Sequence, residues 1–239
     1  MQIVIDIGNT RLKFAVFNEH LFIQKGYGIE ELRTALTQHS ISKAMIASVA
    51  ESEAVTDLLV EHHIAYSLLS STISLPYQNL YQSPETLGAD RLAIAAQAHA
   101  MLDGGAVLAI GAGTCITYDY IDAKGYQGGA ISPGIQMRFN ALNHYTARLP
   151  LLDWSAYYHS TYQGLIGKDT AASILAGVLN GVIQEVEGTI EQYRQRYSPL
   201  RVVVTGGDVD FLVKNLKNTI FARPEMVLEG LNYILLHNA

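Results

Sequence analysis

The chain has 239 residues, 49% of them hydrophobic and 16% charged, so a sizeable buried core is expected and wholesale disorder is excluded. A formal net charge of −6 weighs against a nucleic-acid binder, which usually carries a basic face. The single Cys115 excludes an intrachain disulfide and fits a reducing cytoplasm.

In chain order, Met1–Gly8, Leu12–Asn18 and Leu21–Tyr27 read as three strands, from short apolar runs rich in β-branched residues. The first runs into Asp6-Ile7-Gly8-Asn9-Thr10 and then Arg11-Leu12-Lys13, a turn that joins a hairpin. A P-loop differs, because its glycine-rich turn opens a helix. Gly8 allows a ligand to approach the backbone closely, and Asn9 and Thr10 offer donors to phosphate oxygens. Asp6 suits Mg²⁺, held directly or through water. An ordinary hairpin turn is the plain alternative. Glu30 to His39 is expected as a helix, Ala44 to Val49 as a strand and Glu51 to His63 as a second helix. Three strands, helix, strand, helix is the order of a ribonuclease-H-like half. Ser67 to Pro84 is polar and tyrosine-rich and reads as irregular, and a helix follows from about Gly88 to Met101.

The second half repeats this plan. Ala106–Gly111, Cys115–Asp122 and Gly128–Ile131 are its expected strands, Ile135 to Tyr145 a helix, and Leu149 to Gly164 a loop. Asp169 to Arg196 is a long helical pattern interrupted by Gly177 and Gly181, and Pro199 closes it. Arg201–Val204 is a strand leading into Thr205-Gly206-Gly207-Asp208. Val209 to Leu216 reads as a helix, Thr219–Phe221 as a short strand and Val227 to Leu236 as a closing helix. Within this half, Val107 to Thr114 is a degraded copy of the first motif. Aligning Gly113 with Gly8 places Ile110 on Ile5 and Thr114 on Asn9. Repetition of this kind implies two similar α/β halves, 1–104 and 105–239, with a cleft between them. Two such turns could grip the β- and γ-phosphates of a nucleotide from both sides. That is the logic of the actin, hexokinase and Hsp70 ATPase superfamily, which the duplication resembles.

Gly88-Ala89-Asp90-Arg91 is the best catalytic candidate. An acidic residue in a first helical turn is ordinary capping and dipole chemistry. A cation there opposes the dipole, and such local conflict is tolerated more readily where function requires it. An Asp beside an Arg suits one job: the carboxylate takes a hydroxyl proton while the guanidinium clamps a distal carboxylate. Thr205-Gly206-Gly207-Asp208 could hold an adenine or ribose against bare backbone, or could be a strand-to-helix turn with Asp208 as N-cap. Gly128 to Gly134 lines a ligand cleft or is a sharp bend. Tyr81 is a loop tyrosine, and Asp169 or Thr170 is an N-cap by default.

The ordered set resembles the type III pantothenate kinases over nearly the whole chain. The pieces are Asp6-x-Gly8-Asn9-Thr10, Tyr81-x-x-Pro84, Gly88-x-Asp90-Arg91, Gly113-Thr114, Ser132-Pro133-Gly134, Gly167-x-Asp169-Thr170 and Thr205-Gly206-Gly207-Asp208. The resemblance implies transfer of phosphate from ATP to pantothenate, giving 4′-phosphopantothenate, the first step of coenzyme A biosynthesis. It implies that Asp6, Ile7, Gly8, Asn9, Thr10, Arg11, Leu12 and Lys13 hold ATP and magnesium, with Gly113 and Thr114 as the second phosphate turn. Thr205, Gly206 and Gly207 become the adenosine-side turn. Asp90 becomes the general base, and Tyr81, Gly88, Ala89, Asp90 and Arg91 the pantothenate contacts. Thr170 becomes a contact contributed across a homodimer interface. The family's second motif begins with an Asp that helps hold a monovalent cation, potassium or ammonium. Gly111 stands there, with no side-chain ligand; Asp119, or a backbone carbonyl with water, are the two stand-ins.

Two other functions are weighed against this one. A related kinase for another small alcohol conflicts with Tyr81 and Gly88–Arg91, which are the substrate-side motifs. A non-catalytic nucleotide-binding regulator is favoured by Gly111 and opposed by Asp6, Asp90 and Arg91 occurring together. No signal peptide and no membrane span are expected, and the longest uncharged stretch, Gly104 to Tyr118, is broken by glycines. A cytoplasmic protein binding neither nucleic acid nor membrane is therefore expected.

Overall fold

The computed structural model describes residues 1–8, 11–48, 53–70 and 72–239. They form two compact units, one of Met1–Met101, Lys124–Gln127 and Glu225–Ala239, the other of Leu102–Ala123 and Gly128–Pro224. The division at 104/105 follows the order of elements in the chain. The compact units group the last helix with the first half instead.

In the first unit, β1 (Gln2–Ile7), β2 (Leu12–Asn18) and β3 (Leu21–Tyr27) form an antiparallel meander. Helix α1 (Gly28–Gln38) leads to β4 (Lys43–Ser48), which lies parallel to β1, and α2 (Glu53–Glu61) leads to β5 (Ala65–Leu68), parallel to β4. The sheet order is β3-β2-β1-β4-β5. Alternation along the central strand divides it between two faces. Ile3, Ile5 and Ile7 enter a core with Leu32, Leu36, Val55, Leu58 and Leu59 of α1 and α2. Gln2, Val4 and Asp6 therefore point to the other face, where α3 (Ala89–Ala100) and α7 (Met226–His237) pack together.

That second face is pinned by polar contacts as well as apolar ones. The buried Gln2 amide donates to Asn232 Oδ1 at 3.0 Å and to the Glu19 carbonyl at 2.7 Å, and Asn232 Nδ2 donates to that same carbonyl at 2.8 Å. Glu19 has a left-handed backbone, φ 53°, and these two donors hold its carbonyl in place. Gly230 of α7 sits so close to α3 that a Cβ would lie 1.9 Å from the Ala93 carbonyl oxygen.

The second unit repeats the sheet as β10-β9-β6-β7-β8, from β6 (Ala106–Ala112), β7 (Cys115–Asp122), β8 (Gly125–Pro133), β9 (Leu200–Thr205) and β10 (Phe221–Ala222). β6 and β7 pair antiparallel, and β9 lies parallel to both β6 and β10. Leu108, Ile110, Ile116 and Tyr118 share a core with α4 (Ile135–His144), α5 (Thr170–Arg196) and α6 (Val209–Asn215). Gly111, Thr117 and Asp119 consequently take the opposite face of the sheet. The expected interruption at Gly177 and Gly181 does not occur, and α5 runs unbroken for 27 residues. Asp169 caps it, its carboxylate accepting from Ala172 N at 2.8 Å.

Gly230→Ala is expected to cost about 1–3 kcal/mol of stability, because α3 and α7 cannot separate to admit a methyl without losing packing. A denaturant midpoint unchanged from wild type would contradict that packing.

Candidate functional site

In the first unit, the site begins at the end of β1. Asp6 pairs with Lys13 across the β1–β2 ladder, so the two side chains share a face. The turn closes through Gly8 N donating to Arg11 O at 3.3 Å. Asn9 and Thr10 lie outside the described residues. Ile7 and Leu12 face the core, so any contact they make with a ligand uses backbone. Arg11 is exposed and lies over the Tyr27 ring, 4.7 Å from its centroid.

Burial pushes the Asp6 carboxyl up to about 6, Lys13 opposes the shift, and the charge of Asp90 adds to it. Asp90 is thus close enough to Asp6 for the two carboxylates to repel. It occupies the first turn of α3, exposed to solvent, and its Oδ1 accepts from Arg91 N at 2.9 Å. The same oxygen would lie 2.6 Å from a Cβ on Gly88, so a larger residue there would push the carboxylate aside. Ala89 is half-buried as the first residue of the helix.

Arg91 is only 5% exposed, and its guanidinium lies 5.8 Å from the centroid of the Tyr81 ring. Tyr81 in turn lies 6.0 Å from the ring of Tyr126, which is wholly buried. Tyr126 binds the 78–80 segment at both ends of its peptide: its N–H donates to Gln78 O, and its carbonyl accepts from Leu80 N. Sequence reasoning missed Tyr126, which falls between the expected strands Cys115–Asp122 and Gly128–Ile131. One cluster in this unit therefore assembles Asp6, Lys13, Tyr81, Gly88, Asp90 and Arg91.

In the second unit, three glycine-bearing turns meet at the end of β6. Gly113 N donates to Cys115 O at 3.0 Å, and Thr114 is exposed. Gly134 N donates to Thr114 O at 3.1 Å, and a Cβ on Gly134 would lie 2.0 Å from the Gly113 oxygen. From the other side Asp208 N donates to Ala112 O, and Gly206, at φ +99°, would carry a Cβ 2.2 Å from that oxygen. Thr205 is buried and its hydroxyl points to Pro224 O. Asp208 makes no side-chain cap to α6. Its carboxylate meets the Tyr158 hydroxyl at 2.9 Å, and that hydroxyl also donates to Gly207 O. Burial pushes Asp208 up to about 6. Trp154 stacks on Tyr158 at 4.8 Å. Neither aromatic gave a signal in the sequence, where their segment reads as an irregular loop.

Gly111 pairs with Thr117 of β7, and fully buried Asp119 lies opposite Ala109, one step along the same face. Thr170 is exposed at the start of α5 and lines a groove of about 1010 Å³ with Leu142, Tyr145, Leu149 and Gly177. Among the described residues no cluster of three or more His, Cys, Asp or Glu could hold a metal ion by itself.

A profile of the type III pantothenate kinase family matches residues 2–192. The chain is 39% identical to the type III pantothenate kinase of Flavobacterium johnsoniae, over 97% of this chain and 96% of that one. Among solved structures it is similar to a Baf family transcriptional activator from Campylobacter jejuni, at TM-score 0.63 and 20% identity over 99% and 98% of the two chains. It is also similar to a ROK hexokinase from Thermus thermophilus, at TM-score 0.51 and 12% identity over 98% of each. At these identities the solved structures speak for the fold, which is the duplicated two-domain α/β fold of the actin-like ATPases.

Between its ordinary value of 3.8 and about 6, the folded chain holds a proton on Asp6 that the unfolded chain releases, so stability falls as pH rises through that window. Asp6→Asn is expected to be more stable than wild type above pH 6, with the advantage gone below about pH 4. Carboxyl NMR should show the Asp6 titration moving down in Asp90→Asn and up in Lys13→Met. A titration insensitive to both would separate Asp6 from its two neighbours.

Proposed function

Because the chain belongs to the type III pantothenate kinase family, which transfers phosphate from ATP to pantothenate at the start of coenzyme A biosynthesis, we propose that the Asp6–Lys13–Asp90 cluster is its reacting centre. The observation that carries this reading is the electrostatic conflict of two carboxylates, Asp6 and Asp90, built around one lysine. A binder without chemistry has no use for Asp90 there, which disfavours a purely regulatory protein. Tyr81 and Arg91 beside Asp90 favour pantothenate over another alcohol, since a clamped guanidinium suits its carboxylate.

The residues fit a divalent cation. Asp6 is desolvated and repelled by a second carboxylate, a state that positive charge relieves, and Mg²⁺ is typically bound by one or two carboxylates together with substrate phosphates. Asp6 would hold it, and when bound it would neutralise charge on the transferring phosphoryl group. Lys13 would add its own charge to the phosphates. Asp90 would orient the pantothenate hydroxyl and accept its proton, which its exposure lets it pass to water. Thr114 would offer its exposed hydroxyl to the phosphates, and Thr205 to Gly207 a backbone surface to the nucleoside. Gly111 offers a monovalent cation no side-chain ligand, and Asp119, fully buried on the same face of the sheet, would stand in for it.

A homodimer is also part of this reading. Helix α5 exposes Thr170, Ser173, Gly177, Gly181, Gln184 and Gly188 along one stripe. A Cβ on any of these three glycines would meet no atom within 4 Å. Each glycine costs a helix about 1 kcal/mol relative to alanine, a cost that close approach of another helix explains. The neighbouring Tyr145, Leu165 and Ile166 are each at least 80% exposed, and a second copy would cover them. Among the described residues no helix is long and apolar enough to cross a membrane, and we place the enzyme in the cytoplasm.

Release of ADP from ATP should depend on pantothenate, and Asp90→Asn should lower kcat by about 10²–10⁴-fold while Mg²⁺–ATP still binds. Absence of turnover in wild type with nucleotide bound would favour the regulator instead. Light scattering should find a dimer in wild type and a monomer in Gly181→Glu; a monomeric wild type would remove the proposed interface.

A further inference from the structure

Arg138 stands out in the second unit for a reason its sequence position does not explain. It lies in the fourth helical position of α4, near the positive end of the helix dipole, where a cation is unfavourable. Its side chain turns back over the helix start. Nε donates to Pro133 O at 2.9 Å, and one terminal nitrogen donates to Ser132 Oγ at 2.9 Å. Its own backbone N donates to Gly134 O at 3.1 Å. One residue thus holds three consecutive residues, Ser132, Pro133 and Gly134.

The guanidinium is itself held. Glu185 of α5 accepts from the same terminal nitrogen at 2.5 Å and from the Tyr118 hydroxyl of β7 at 2.9 Å. Burial raises the Glu185 carboxyl, but the hydrogen bonds from Arg138, Ser132 and Tyr118 outweigh it, and the net shift is downward. The pair therefore stays charged at neutral pH. At the other end of the chain of contacts, Gly134 leaves no room for a side chain against the Gly113 and Thr114 carbonyls. Any drift of residues 132–134 is transmitted to the Gly113–Thr114 turn.

We propose that Arg138 and Glu185 are positioning residues for ATP: they lock the Ser132-Pro133-Gly134 bend, and through Gly134 they fix the backbone of the Gly113–Thr114 phosphate turn. Neither residue touches the nucleotide. The proposal rests on the reading of Gly113–Thr114 as a phosphate turn. It requires the fork of an arginine, because a lysine has one nitrogen and cannot bind Pro133, Ser132 and Glu185 in a fixed plane. Displacements of an ångström in a positioning group cost up to about 100-fold in rate.

The test is steady-state kinetics with each substrate varied in turn, on full-length wild type, Arg138→Lys, Glu185→Gln and Thr114→Ala, with melting temperatures alongside. Glu185→Gln keeps the size of the side chain and loses only its charge, so it serves if Arg138→Lys folds poorly. Arg138→Lys and Glu185→Gln are expected to raise KM for ATP by about 5- to 50-fold while KM for pantothenate moves less than about twofold. Arg138→Lys/Glu185→Gln together should be no worse than the poorer single variant, as expected of one linked unit. If Thr114→Ala raises KM for ATP and the two positioning variants do not, the lock is refuted and the phosphate turn stands. If Thr114→Ala and both positioning variants leave KM for ATP unchanged, the phosphate-turn reading fails and the proposal with it. Equal loss in both KM values, tracking the fall in melting temperature, would reduce the pair to a stability role and overturn the proposal.

Discussion

The first unit is organised around a carboxylate placed where it is uncomfortable. β1 is the central strand of its sheet, flanked by β2 and β4, and its alternation sends Asp6 to the face covered by α3 and α7. Asp6 must be there because the alternative face is filled by isoleucines. Once there, it is half-buried and partly desolvated, and Asp90 at the start of α3 makes its charge less welcome still. Lys13 relieves only part of that conflict. The meander brings Lys13 opposite Asp6 and α3 brings Asp90 toward it, so the carboxylate is left only partly compensated, as the proposed cation site requires. Such stored conflict is the usual mark of a functional centre.

The repeat makes this clearer by its asymmetry. The two sheets share one order, and the strand ladders put Gly111 where Asp6 stands and Thr117 where Lys13 stands. The second copy has therefore kept the backbone and lost both charges. What it has gained is compactness: three turns converge on the carbonyls of Ala112, Gly113 and Thr114, and glycines at 134 and 206 permit the approach. One copy carries charge and the other carries shaped backbone, a division of labour that fits a reaction depending on charge neutralisation and placement.

The order of elements was legible because most strands are buried apolar runs and most helices show a clear inward face. The duplicated fold followed from that order. Where burial fails, legibility fails with it. β5 is four exposed residues at a sheet edge, with no alternation to betray it, and Ser67 onward was expected to be irregular. β8 begins three residues before the expected Gly128, and its added residue Tyr126 is buried against Tyr77 and Tyr81. The glycines of α5 suggested breaks, but a helix held by eight buried side chains, Ile174 to Ile190, tolerates them. Of the site, the residues set in local motifs were visible. Tyr158 with Asp208, and Arg138 with Glu185, were not, since each pair joins segments about fifty residues apart that share no pattern.

The last helix, α7, completes the first unit, with Gln2 bonded to Asn232 across 230 positions of chain. On a ribosome, the first unit would emerge early and yet be unable to close. The even face of β1, including the Asp6 carboxylate, would lack its α7 cover until the whole second unit had been synthesised. Contacts of such long sequence separation slow folding and lengthen exposure of apolar surface. The order of synthesis thus makes the second unit able to fold before the first, and leaves the face of β1 that carries Asp6 to be completed by α7.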